Sequence, residues 1–86
     1  PQKVTNIDLK FDFKKLDPKN KELVNSIIKK YSGYSEENCR IFIRPSGTEQ
    51  LLRILVEAEN IQVVKNLSSE ITQKLNIEIK NLTNHI

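Results

Sequence analysis

Arg40-Ile41-Phe42-Ile43-Arg44-Pro45-Ser46-Gly47-Thr48-Glu49-Gln50-Leu51-Leu52-Arg53-Ile54-Leu55-Val56-Glu57-Ala58 places two apolar, β-branched runs around a short polar loop. β-branched residues suit a pleated, half-buried surface, so strands are predicted over about 39–44 and 51–58. The loop, Pro45 to Gln50, is short enough for a hairpin. With Arg44 opposite Leu51, the facing pairs are Phe42–Arg53, Ile43–Leu52 and Ile41–Ile54. Side chains alternate along a strand, so Ile41, Ile43, Leu52, Ile54 and Val56 share a core face, with Arg44 and Arg53 on the other. A one-residue slip would undo this arrangement.

The loop has the composition of an anion cradle. Gly47 lets the backbone curl and bring its N–H groups together. Ser46 and Thr48 add hydroxyl donors, and the two guanidinium groups are planar forks that match phosphate or carboxylate. The competing reading is a plain hairpin connection with polar turn residues, and the residues alone leave both open.

Upstream, Thr5, Ile7, Leu9, Phe11 and Phe13 alternate with Asn6, Asp8, Lys10 and Asp12, which predicts a strand over about 3–13. Asp17-Pro18 is a helix start: the carboxylate caps free N–H groups and proline fits the first turn. Leu23, Val24, Ile27, Ile28 and Tyr31 share one face of a helix over about 18–31, which should stop near Gly33. Residues 31–38 read as a turn. Downstream, Asn60 can cap a last helix carrying Ile61, Val64, Leu67, Ile71 and Leu75 on one face. Beyond Leu75 the pattern is ambiguous, because Leu75, Ile77 and Ile79 also alternate. The order β-α-β-β-α predicts an α+β fold of two layers, with helices on one face of a small, largely antiparallel sheet.

With 86 residues, one small domain is expected. The chain starts Pro1-Gln2 and has no Met, so a fragment or processed segment is expected. One Cys precludes an internal disulfide, and no apolar run nears the roughly 20 residues that span a bilayer. The net charge of +3 comes from lysines spread among acids rather than from a basic block, and aromatics are only 6%, too few for a base-stacking platform. Nucleic acid and membrane are therefore not expected partners.

Other chemistry is sparse. Glu49 is either a general base, an orienting partner for an arginine, or a solvated loop acid. Glu57 and Glu59 read as surface charges, Cys39 as a small core residue, and His85 as inert in the tail. One Cys and one His do not make a zinc site. No paired carboxylates, Ser-His-Asp set or Walker loop is present. No catalytic residue and no metal ligand is assigned.

The run Arg44-Pro45-Ser46-Gly47-Thr48-Glu49, followed by Arg53-Ile54 and Val56-Glu57-Ala58, resembles the R-x-S-[GN]-T-E-P-x-x-R motif in the last domain of the α-D-phosphohexomutases. The resemblance extends over most of the chain. Pro1-Gln2 leading into a strand with Asn6 is similar to the opening of this domain in bacterial phosphoglucosamine mutases. Gly47, and the mere seven residues between Tyr31 and Cys39, also fit that branch. Phosphomannomutase/phosphoglucomutase types often carry Asn at the glycine and an extra hairpin there. Phosphoacetylglucosamine mutases are a close rival.

The resemblance implies a TATA-box-binding-protein-like fold, with residues 1–86 as the C-terminal domain of a larger cytoplasmic isomerase. That enzyme would interconvert glucosamine 6-phosphate and glucosamine 1-phosphate through a phosphoserine and a bisphosphorylated sugar. It implies that Arg44, Ser46, Gly47, Thr48 and Arg53 hold the substrate phosphate, with Glu49 in support. The phosphoserine, the Mg²⁺ site and the sugar-recognition loop would lie in other domains, leaving this chain inactive alone. Its partners would be the phosphosugar and those domains. Gln50 departs from the motif, which has proline there, and a more mobile loop exit is the expectation. The alternative of another class is a stand-alone module binding phosphorylated ligands or nucleic acid.

Overall fold

The computed structural model describes residues 1–33 and 38–86. Its elements are β1 (Gln2–Asp8), a 3-10 turn (Phe13–Lys15), α1 (Pro18–Tyr31), β2 (Arg40–Pro45), β3 (Leu51–Glu57) and α2 (Ile61–Thr83). The sheet order is β1-β3-β2, with β3 antiparallel to both neighbours. β1 and β2 therefore run parallel, joined through α1, and the later strand β3 is inserted between them. This is the α+β, two-layer arrangement that the periodicity predicts.

The inward face of the sheet carries Ile7 from β1, Leu52, Ile54 and Val56 from β3, and Ile41 and Ile43 from β2, all buried. α2 lies against β1 and β3 with Val64, Ser68, Ile71, Leu75 and Ile79 buried at spacings of four and three, the repeat of one helical face. Each such aliphatic side chain contributes about 1.5–3 kcal/mol by leaving water. Ser68 is the buried polar residue in this stripe, and its hydroxyl is hydrogen-bonded to that of Thr5 at 3.1 Å. α1 covers the β2 side with Val24 fully buried and Ile27, Ile28 and Tyr31 half-buried.

Local signals set the ends of α1. The Asp17 carboxylate accepts from the Asn20 N–H at 2.8 Å, and Pro18 takes the first helical position. Gly33 adopts φ +73°, a region glycine enters without steric cost, and its N–H donates to the Ile41 carbonyl at 2.9 Å. The helix end is thereby tied to β2. The predicted turn over 31–38 falls partly on residues 34–37, outside the described residues.

Two expectations change and one open reading is resolved. β1 ends at Asp8 rather than near Phe13, because Asp8 pairs with Leu51, the first residue of β3, and no strand continues beyond it. The Asp12 carboxylate then accepts from the Lys14 N–H at 3.0 Å and starts the 3-10 turn. Secondly, the hairpin register is shifted by two residues: Arg44 faces Arg53, Ile43 faces Ile54 and Ile41 faces Val56. Pairing runs on into the loop, where the Ser46 N–H donates to the Leu51 carbonyl at 2.9 Å. A shift of two preserves side-chain parity, so the predicted core face is retained. Thirdly, the tail stays helical to Thr83: Ile79 is buried, whereas Ile77, the residue that made the alternating reading possible, is 61% exposed.

Glu78 of α2 links the helices. It accepts from the Tyr31 hydroxyl and from Lys30 Nζ at 3.2 Å. The hydrogen bond to Glu78 holds both the Lys30 ammonium and the Tyr31 phenol above their ordinary pKa values. Each raised group favours the folded state below its unfolded pKa, and that contribution is lost as pH rises through the folded value. Urea midpoints should therefore fall between pH 9 and pH 11 in the wild type and fall less in Glu78→Gln. Leu75→Ala should lower unfolding free energy by about 2–5 kcal/mol; Ile77→Ala should change it by less than about 0.5 kcal/mol.

Candidate functional site

The hairpin delivers a compact loop at one end of the sheet. Ser46 organises it: its Oγ accepts from the N–H groups of Thr48 at 3.3 Å and Glu49 at 3.2 Å. A hydroxyl that accepts two N–H groups keeps its own hydrogen as an outward donor. The Leu51 N–H donates to the Glu49 carbonyl at 2.9 Å and turns the chain around Gln50 into β3.

Two contacts from elsewhere hold the loop. The Leu9 N–H donates to the Gln50 carbonyl at 2.8 Å. Lys14 Nζ donates to the Gly47 carbonyl. The exit at Gln50, expected to be looser without proline, is thus tied to the chain leaving β1.

Arg44 and Arg53 face each other across β2 and β3 on the open face of the sheet, and Asn6 flanks Arg53 from β1. Both arginines are exposed, and neither forms an ion pair with a described residue. Like charges directly opposite on a sheet oppose folding. An anion between the forks would remove that repulsion. The next rung, Val4–Leu55–Phe42, is apolar, with Val4 and Phe42 each 52% exposed. A shallow groove runs from this rung to the two arginines.

Of the sequence-predicted residues, Arg44, Ser46, Gly47, Thr48 and Arg53 are brought together at this one end. Gly47 acts differently from expectation. Its φ is outside the left-handed region, and a Cβ built on it meets nothing within 4 Å. The glycine leaves open space above the backbone and is not needed for the turn. Glu49 is exposed and its carboxylate has no described partner; its backbone N–H is the part the loop uses. Cys39 is buried in the core cluster, and the His85 ring is bonded to the Asn81 carbonyl at 2.8 Å. Glu57 sits between Gln2 and Arg40, away from the loop. Among the described residues no group of three or more His, Cys, Asp or Glu could hold a metal ion, and no helix is long and apolar enough to cross a membrane. Sequence reasoning missed Lys14 and Leu9. Both lie over thirty residues upstream, and nothing in their local pattern points to the loop.

Residues 2–74 match the family described as Phosphoglucomutase/phosphomannomutase, C-terminal domain. The chain belongs to that family. Its relatives include the phosphoglucosamine mutase of Prochlorococcus marinus (strain MIT 9215), 51% identical over 84 residues, which cover 98% of this chain and 19% of the relative. That of Finegoldia magna is 34% identical over 82 residues, covering 95% and 16% respectively. The chain thus spans about a fifth of the length of these phosphohexomutases. A crystal structure of Aspergillus fumigatus N-acetylphosphoglucosamine mutase in complex with GlcNAc-6P and magnesium shares the fold, with a TM-score of 0.55 and 18% identity over 91% of this chain and 16% of that one.

The loop geometry separates two roles within this phosphohexomutase domain. Gly47→Ala should leave unfolding free energy within about 0.5 kcal/mol of wild type. Ser46→Ala, which removes the shared acceptor of two amides, should cost about 0.5–1.5 kcal/mol and speed hydrogen exchange at Thr48 and Glu49.

Proposed function

We propose that residues 1–86 are the substrate-phosphate-binding C-terminal domain of a phosphoglucosamine mutase, interconverting glucosamine 6-phosphate and glucosamine 1-phosphate. The observation that carries this reading is the Arg44–Arg53 rung, without an ion-pair partner among the described residues, beside the Ser46-centred loop. Two planar forks offer bidentate contacts to phosphate oxygens. The Ser46 and Thr48 hydroxyls add neutral donors, and the open space at Gly47 lets the anion approach the backbone. Glu49 supports the loop through its N–H. The sequence identity near 50% to phosphoglucosamine mutases favours that substrate over other hexose phosphates.

In this reading the domain grips a phosphate and leaves the sugar free. All the donors address phosphate oxygens, so the same site serves the 6-phosphate or the 1-phosphate of a bisphosphorylated sugar that turns round in the cleft. The phosphoserine and Mg²⁺ of such an enzyme would sit in other domains. This chain's share is to bind and orient, and alone it would not turn over substrate. The enzyme would work in the cytoplasm, and neither nucleic acid nor membrane is a partner.

Glucosamine 6-phosphate titrated into ¹⁵N-labelled protein should shift the amides of 46–50 first. Arg44→Ala should weaken binding about 10- to 100-fold, the range for one charge-assisted contact. The same substitution in the longer enzyme should remove most activity. Shifts scattered away from the loop, or full activity in that variant, would refute the assignment, and a salt-dependent gel shift with RNA or DNA would replace it with a nucleic-acid module.

A further inference from the structure

Lys14 sits in the 3-10 turn between β1 and α1, far in sequence from the hairpin, yet its ammonium donates to the Gly47 carbonyl. The turn that carries it is well anchored. The Lys14 N–H donates to the Asp12 carboxylate at 3.0 Å, and the Lys15 N–H donates to the Asp12 carbonyl at 3.0 Å. Leu9 is buried in the core cluster, Phe11 packs against it, and the Leu9 N–H holds the Gln50 carbonyl. The segment from Leu9 to Lys15 therefore grips the loop at both ends, through the carbonyls of Gly47 and Gln50.

The peptide between Gly47 and Thr48 is trans, as are all peptide bonds described. In a planar trans peptide the C=O and N–H point in opposite directions. Holding the Gly47 carbonyl on one side thus aims the Thr48 N–H to the other, where it converges with the Glu49 N–H on Ser46 Oγ. The lysine also neutralises a carbonyl dipole that would repel an anion if it turned toward the loop. A cation is suited to this task because a charge-assisted bond is about twice as strong as a neutral one. Glycine at 47 has no side chain to restrain that peptide plane, so the restraint comes from outside.

We infer that Lys14 is a positioning residue for anion binding, clamping the Gly47 carbonyl so that the Thr48 N–H converges on Ser46 Oγ and the Ser46 hydroxyl hydrogen is left for the phosphate. The inference rests on the phosphate-site reading of the loop. One of the three ammonium donors is used on Gly47, and the other two add positive charge at the loop edge.

The test is a titration of the ¹⁵N-labelled chain with inorganic phosphate in wild type, Lys14→Met, Lys14→Arg and Arg44→Ala, at fixed ionic strength. Lys14 is exposed, so the methionine variant keeps its core. Lys14→Met should move the Thr48 amide resonance in the free protein and weaken phosphate binding about 2- to 5-fold, the range for one exposed charge contact. Lys14→Arg should restore both. Arg44→Ala should lose more affinity while the free Thr48 resonance stays in place. Wild-type affinity and an unmoved Thr48 amide in Lys14→Met would overturn the inference and leave the phosphate site standing, provided Arg44→Ala still weakens binding. A wild-type protein whose loop amides ignore phosphate would overturn the site reading and this role of Lys14 together.

Discussion

β3 is hydrogen-bonded on both sides, and the rest of the domain depends on that double pairing. Because a strand alternates its side chains, one backbone decides two surfaces at once. Leu52, Ile54 and Val56 point inward and are fully buried, while Arg53 and Leu55 point to the open face. β1 and β2 must match this parity from either edge, and α2 then covers the apolar side. Moving β3 by one residue would drive Arg53 into the core and expose Ile54. The charge on the open face and the packing beneath it are thus two consequences of one register.

The same constraint shapes the loop. Tight closure at Ser46 and Leu51 brings Arg44 and Arg53 opposite each other, an arrangement that disfavours folding by repulsion. The buried strands and helices carry the cost, since each aliphatic side chain packed against α2 contributes more than an exposed charge pair takes away. A rigid sheet end can therefore present two cations without an ion-pair partner among the described residues next to a loop whose amides are already gathered by Ser46. That combination is what the proposed role in phosphate binding needs.

Membership of the phosphohexomutase family is consistent with such a division of labour. The chain covers about a fifth of its relatives, and its two facing arginines lie at the hairpin end. The loop exit at Gln50 is held from outside the hairpin. The Gln50 carbonyl is held by the Leu9 N–H, and Lys14 holds Gly47, so the loop exit is restrained by the chain that leaves β1 rather than by a ring in the backbone. The apolar Val4–Leu55–Phe42 rung next to the arginines remains open in the isolated domain.

Periodicity alone determined the element order, both N-caps of the long helices, the core face of the hairpin and the grouping of Arg44, Ser46, Thr48 and Arg53. These follow from local rules of alternation, helical spacing and capping, which act over a few residues and leave a mark in the sequence. The insertion of β3 between β1 and β2, the two-residue shift of the hairpin register, the early end of β1 and the helical tail were settled by tertiary structure. Each depends on what a segment meets: Phe11 and Phe13 keep the strand alternation of β1 but have no strand partner, and Ile79 finds the core where Ile77 finds water. Lys14 was invisible for the same reason. A lysine among fourteen basic residues carries no local signal, and only the folded chain places its ammonium on the Gly47 carbonyl.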